Sequence, residues 1–122
     1  FGKNDKRMKL INILKINFKK NKTTPIVSKK LFLNLLNVLD IQNAVDLILK
    51  KKIKPDTYVL KNNVNYSISD IINKINKDSQ KKIKIKWLSN KILKEKIYNY
   101  KQINKWQPNS SKIQDIVDLI RR

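Results

Sequence analysis

The sequence ends in a tight turn followed by a short amphipathic helix. The turn is built on Trp106-Gln107-Pro108, and Asn109-Ser110-Ser111 precede an isoleucine-containing stretch that runs to Arg122. A serine shortly before an apolar stretch with helical periodicity is a typical helix N-cap. We therefore predict a serine-capped final helix that closes one folded domain.

Length and composition allow one domain and exclude several kinds of active site. With 122 residues, 40% of them hydrophobic, the chain can build a single modest core over residues 1–122. It contains neither cysteine nor histidine, which excludes disulfides, thiolate metal sites and Ser-His-Asp or Cys-His catalysis. The carboxylates are scattered along the sequence, so we predict no acid–base pair and no metal site.

Hydropathy and the first residues bear on localisation and on the extent of the protein. No apolar run approaches the roughly 18 residues of a membrane span, and no signal peptide is visible. We expect a cytoplasmic location and no membrane partner. The chain opens on Phe1-Gly2-Lys3-Asn4-Asp5, which we interpret as the start of a piece of a longer protein.

The net charge of +20 raises the question of nucleic-acid binding, because Lys and Arg neutralise phosphates. Only Arg7, Arg121 and Arg122 among the 29 basic residues are arginine, the side chain that reads base edges best. The lysines are spread over the whole chain and accompany many Ile and Asn residues, which is typical of an A/T-rich coding bias. We interpret most of the charge as solvated surface and expect no specific nucleic-acid partner. A small basic nucleic-acid-binding or scaffold domain stays open as the alternative.

Hydrophobic periodicity predicts helices and short strands in alternation. Residues 5–20, with Met8 on the apolar face, have helical spacing, whereas 25–27 and 31–38 are typical of extended chain. Asp40 is predicted to cap a helix with apolar positions at 41, 44, 45, 48 and 49. The short apolar run 57–60 is predicted to be a buried strand.

The second half continues the alternation. Ser67 is predicted to start a helix with isoleucines on one face, and Ile83, Ile85 and Trp87 alternate with lysines as in a half-buried strand. Trp87 and Trp106 are expected to pack in the core or in a turn. The predicted order is helix, strand, helix, strand, helix, strand, helix, helix.

Five short segments follow one another in an order found in one enzyme superfamily. They are Phe1-Gly2-Lys3-Asn4-Asp5, Lys9-Leu10-Ile11, the block Asn34 to Asp40, Tyr58-Val59-Leu60 with Ser67 to Asp70, and Trp106-Gln107-Pro108. Together they resemble the C-terminal third of the extended short-chain dehydrogenase/reductase superfamily, the NAD-dependent nucleotide-sugar epimerases and dehydratases. The matching motifs there are aromatic-Gly-Pro-x-Asp, the start of a substrate-domain helix, R-D-[FY]-[IV]-H-V-x-D, Y-N-[IL]-G and [GN]-W-x-P.

The resemblance implies a fold class and a set of ligands. The chain would be the α/β C-terminal substrate-binding part of a Rossmann-type protein, with strand 57–60 joining the edge of a parallel sheet upstream. The full-length protein would bind NAD(P) and a nucleotide-sugar and would be a homodimer. The substrate-binding residues implied in this chain are Lys9, Leu10, Ile26, Asn34 and Lys91.

Departures from the family pattern limit what this chain can do alone. Leu33 stands where the family usually has an arginine that grips the substrate diphosphate, and Asn37 replaces the usual histidine. Lys91 falls near a second phosphate-binding arginine and could supply a point charge. Gly2 is the only glycine, and no tyrosine precedes a lysine at the family's catalytic spacing. We therefore predict no catalytic or cofactor-binding residues here and no activity from this chain alone.

Overall fold

The chain folds into a small mixed α/β structure with four helices and two small sheets. The computed structural model describes all residues from Phe1 to Arg122. The helices are α1 Leu10–Lys19, α2 Val38–Lys51, α3 Ile68–Asp78 and α4 Ile113–Arg121. The strands are β1 Thr24–Ile26, β2 Leu31–Leu33, β3 Tyr66–Ser67, β4 Ile85–Trp87 and β5 Leu93–Lys94.

Long-range strand pairing brings distant parts of the sequence together. β1 pairs in parallel with β4, so that Ile26 lies opposite Trp87. β2 is the centre of the second sheet: it pairs antiparallel with β3 and parallel with β5, with Leu31 opposite Leu93. Because β2 and β5 are parallel, the residues that follow both strands emerge at the same edge of this sheet.

One main core joins α1, α3 and α4 to β1. Its 13 buried members are Ile11, Leu14, Phe18, Ile26, Ile68, Ile71, Ile72, Ile75, Ile83, Ile116, Val117, Leu119 and Ile120. On each helix these residues recur at three- and four-residue spacing, which places them on one face. Burial of each large aliphatic side chain contributes about 1.5–3 kcal/mol, so this face-to-face packing is the main source of stability.

Helix α2 is held differently from the other three. It packs on loops, through a second small cluster of Ala44, Ile103 and Trp106. Beside this covered side, the helix carries an exposed apolar stripe of Val38, Ile41, Val45 and Leu49, the last of which is 71% exposed. Of the apolar positions predicted for this helix, only Ala44 is fully buried, so α2 has one broad apolar face and the chain covers one side of it.

Two elements match their sequence predictions closely. Ser67 is the N-cap of α3, and its hydroxyl accepts a hydrogen bond from Asp70 N at 3.0 Å. Within the alternating segment 83–87, the last three residues form β4, with Ile85 and Trp87 half-buried and Lys86 exposed. Trp106 is buried, as predicted. These two elements could be predicted because the helix cap and the alternation of apolar and polar residues each involve only a few neighbouring residues.

The first helix starts later than predicted. α1 begins at Leu10, and Met8 is exposed instead of lying on the apolar face. The residues before it form a loop that Asn12 holds: its side-chain amide donates to the carbonyl oxygens of Asp5 and Arg7. These bonds, and the Arg7–Asp5 ion pair, stabilise a non-helical path for residues 5–9.

The predicted N-caps of helices α2 and α4 were both wrong. The N-cap of α2 is Asn37, whose side chain accepts from Leu39 N at 3.0 Å, so Val38 is helical and the extended segment is shorter than 31–38. The N-cap of α4 is Lys112, and its amide donates to the carboxylate of Asp115 at 2.8 Å. Asp40, the predicted cap of α2, instead accepts a hydrogen bond from Ser111, one of the two serines before α4.

The strand predicted at 57–60 is not formed. This segment is half-buried from Tyr58 onward and makes one isolated bridge, Tyr58 with Lys101. The partner residue Lys101 lies in an exposed segment without regular structure, and the bridge does not extend into a ladder. The extra helix predicted before the last one is also absent: between β4 and α4 the only regular element is β5, and residues 94–102 are exposed, so a helix there would have no face to bury.

Candidate functional site

A cleft of about 320 Å³ opens between the N-terminal segment, the start of α1 and the end of β2. Its lining residues are Phe1, Gly2, Asp5, Arg7, Lys9, Leu10, Ile11, Asn12, Leu33, Leu35 and Glu95. A larger cavity of about 470 Å³ shares Phe1 and Gly2 with it and extends to the end of α4. Both cavities combine apolar and charged lining residues, and the smaller cleft is the better candidate because it contains Lys9 and Leu10, two of the predicted substrate-binding residues.

The walls of the cleft are fixed by hydrogen bonds to residues far away in the sequence. The carbonyl oxygen of Phe1 accepts from Val38 N at 2.8 Å, which ties the N-terminal segment to the start of α2. On the opposite wall, Asn34 N donates to Oε2 of Glu95 at 2.7 Å. Glu95 reaches this position because β5 ends beside β2, so the carboxylate lies at the cleft although 61 residues separate the two partners.

Arg7 is oriented by a two-pronged ion pair. Its Nε donates to Oδ1 of Asp5 at 2.8 Å, and its Nη2 donates to Oδ2 at 2.7 Å. Hydrogen bonding to the guanidinium holds the pKa of Asp5 well below its usual range, and the same bond raises the pKa of Arg7. The arginine side chain is 71% exposed, so its free donors are open to solvent.

The structure brings some of the predicted substrate-binding residues together and separates others. Lys9 and Leu10 line the cleft. Asn34 touches its margin through its backbone, while its side-chain amide donates to Asn62 O at 2.9 Å and to Oδ1 of Asn65 at 2.7 Å. Ile26 is 2% exposed in the main core. Lys91 is exposed but is not among the lining residues.

Sequence reasoning missed Arg7 and Glu95. Arg7 had a weak local signal, since it is one of three arginines and follows Asp5 at a spacing that allows a side-chain pair. Glu95 had none, because only the pairing of β5 with β2 brings it to the cleft.

A buried network around Asp40 joins the segment before α2 to the segment before α4. The fully buried carboxylate accepts from Asn109 N at 2.8 Å, from Ser110 N at 3.0 Å and from the hydroxyl of Ser111. The backbone oxygen of Asp40 accepts from Nε1 of Trp106 at 3.1 Å. All four donors lie within the closing turn, so Asp40 fixes the position of that turn.

The residues of this chain do not fit a dinucleotide cofactor. A dinucleotide pyrophosphate needs a glycine-rich turn between a strand and a helix. The one glycine, Gly2, precedes every strand, and a Cβ placed on it would lie 2.6 Å from Cγ1 of Val38. Its lack of a side chain therefore serves the close approach of the N-terminal segment to α2.

Other types of site find little support. No group of three or more acidic, histidine or cysteine side chains is arranged to hold a metal ion. The longest helix has 14 residues, and none has the length and apolar character needed to cross a bilayer.

No protein-family model and no curated protein sequence matches the chain.

Proposed function

We propose that this chain is the nucleotide-sugar-binding portion of an NAD-dependent sugar-nucleotide epimerase or dehydratase. The observation that carries the proposal is the cleft itself, which is lined by residues of the segments Phe1–Asp5 and Lys9–Ile11 on which the resemblance rests. These segments resemble the family's exit from the active site and the start of its substrate-domain helix. A mixed apolar and charged cleft of this size suits a nucleotide with an attached sugar.

The Asp40 network supports the proposal independently of the cleft. The block Asn34 to Asp40 and the turn Trp106 to Pro108 are separated by more than sixty residues, and each resembles a family motif. Asp40 and Trp106 are joined by a direct hydrogen bond. Two motifs that recur together are expected to be in contact if their shared role is to close the same domain.

In this proposal NAD(P) is bound by an N-terminal Rossmann portion outside the chain. The exposed stripe of Val38, Ile41, Val45 and Leu49 on α2 is the surface that such a portion would cover. Apolar residues at successive turns of one helix face are expensive to leave in water, and they suit a neighbouring domain. The hydride chemistry of the family would belong to that portion, and this chain would hold the nucleotide and orient the sugar.

Titration of nucleotide-sugars into the chain tests the proposal. UDP-glucose and dTDP-glucose should each be added to isotope-labelled protein while backbone amide shifts are followed. We expect saturable shifts at Lys9, Leu10 and Leu33, with free glucose as the ligand control. Shifts that do not saturate, or that map away from the cleft in the folded chain, would contradict the proposal.

A gain-of-function variant sharpens this test. Leu33 lines the cleft where the family usually has an arginine, so Leu33→Arg should tighten binding about fivefold to tenfold through a charge-assisted hydrogen bond. The matched control is Leu88→Arg, which adds the same charge at an exposed position that does not line the cleft. Equal gains from both variants would mean that only the net charge matters.

The second candidate is a basic nucleic-acid-binding or scaffold domain, and the unpaired charge favours it. Only Arg7, Lys74 and Lys101 among the 29 basic residues form ion pairs within the chain. Unpaired lysines attract phosphate backbones without reading sequence.

Salt dependence separates the two candidates. If the charge is compositional, binding to double-stranded DNA or RNA should be weak at low salt and lost by physiological salt, because released counterions supply nearly all of its free energy. Fluorescence anisotropy with two unrelated labelled oligonucleotides measures this. Selective binding of one oligonucleotide that survives physiological salt would favour the second candidate.

A further inference from the structure

The loop that carries Arg7 is held by several hydrogen bonds between its own residues and Asn12. The side-chain amide of Asn12 donates to Arg7 O at 2.7 Å, and Arg7 N donates to Oδ1 of Asp5 at 3.1 Å. Lys9 N donates to Arg7 O at 2.8 Å. Backbone and side chain of Arg7 are therefore both hydrogen-bonded, and the bonds to Asp5 orient the guanidinium at the cleft.

The ion pair with Asp5 leaves donors free. A guanidinium has five N–H groups in a planar fork, and the two bonds to Asp5 use one on Nε and one on Nη2. Three N–H groups remain, and the side chain carrying them is mostly exposed. An arginine that is already oriented loses little conformational entropy when it binds a second acceptor.

Charges around the cleft favour an anion on the wall that holds Arg7. Lys9 is a second cation among the lining residues, and Leu33 contributes none. The two lining carboxylates differ: Asp5 is paired with Arg7, whereas Glu95 bonds only a backbone amide through Oε2. Glu95 would repel a phosphate beside it, and its Oε1 is free to accept from a sugar hydroxyl.

We propose that Arg7, oriented by Asp5 and assisted by Lys9, binds the phosphate groups of a nucleoside diphosphate in this cleft. The inference rests on the proposed function and names the residue that supplies the positive charge that Leu33 cannot provide. It differs from the expectation drawn from the sequence, in which Lys91 supplied that charge. A bound diphosphate lies against Arg7 and Lys9, and the nucleoside contacts the apolar wall near Leu10.

Binding of UDP, UMP and uridine to the wild-type chain and to four variants, one of them Lys91→Gln, tests the inference. We expect the wild type to bind UDP more tightly than UMP and uridine. Arg7→Gln should weaken UDP binding about tenfold, the effect of removing a charge-assisted hydrogen bond, and leave uridine binding unchanged. The affinity of Arg7→Lys for UDP should lie between those of the wild type and Arg7→Gln, because lysine keeps the charge without the planar fork. The charge control is Arg121→Gln, an exposed arginine on α4 away from the cleft, and dTDP should be run in parallel.

The possible results separate this inference from the proposed function. If Arg7→Gln binds UDP as tightly as wild type, Arg7 is only a surface ion pair and the inference fails, although nucleotide binding stands. If Lys91→Gln causes the tenfold loss instead, the phosphates bind where the sequence predicted and the inference is overturned. If the folded wild-type chain shows no preference for UDP or dTDP over the nucleosides, the inference fails, and saturable binding of nucleotide-sugars then decides whether the proposed function also fails.

Discussion

Asp40→Ala is expected to lower the free energy of unfolding by about 3 kcal/mol, since it takes a buried charged acceptor away from three donors of the closing turn. The carboxylate is fully buried and accepts from three groups of the closing turn, at Asn109, Ser110 and Ser111. No other acceptor is bonded to these backbone amides. A domain of this size has a total stability of about 5–15 kcal/mol, so the loss should be evident in urea unfolding followed by circular dichroism.

Two further variants show whether the loss of stability comes from the hydrogen bonds of Asp40 or from a change in helix α2 itself. Asp46 lies on the same helix but is exposed, and Asp46→Ala should change stability by less than about 0.5 kcal/mol. Asp40→Asn keeps the shape but turns one acceptor into a donor, so it should cost about 2 kcal/mol. Similar losses from Asp40→Ala and Asp46→Ala would show that the hydrogen bonds to the closing turn contribute little.

Short-range patterns predicted the elements whose causes are local. α3 followed from the Ser67 cap and the isoleucine spacing, and β4 followed from strict alternation. Asp40 also had a good local signal, because an acidic residue before an apolar stretch is typical of a cap. Its actual partners lie about 70 residues later, and no pattern around Asp40 points to them.

The same limit applies to the cleft. The family resemblance pointed to Lys9 and Leu10, which lie next to each other in the sequence and both line the cleft. Glu95 depends on the register Leu31 with Leu93, formed by a two-residue strand too short to leave a sequence pattern. Periodicity also could not tell which part of the broad apolar face of α2 is buried, since all of its residues repeat at helical spacing.

Trp106→Ala is expected to cost about 3–4 kcal/mol, in the range measured for removing a buried aromatic side chain. Trp106 is 9% exposed and forms the buried part of the second cluster with Ala44 and Ile103, so its removal leaves a cavity in that cluster. Trp106→Phe keeps most of the apolar packing but removes the Nε1 bond to Asp40 O, and should cost about 1–2 kcal/mol.

The loss should be local, because α2 packs on loops through this cluster while α1, α3 and α4 share the main core. Amide hydrogen exchange in Trp106→Ala should therefore show α2 losing protection well before α3 does. Trp87→Phe, at a half-buried tryptophan packed against the main core, is the matched control and should leave α2 protected as in the wild type. Equal loss of protection in α2 and α3 would mean that the two clusters unfold as one cooperative unit, and that the exposed stripe on α2 belongs to a helix held as firmly as the rest.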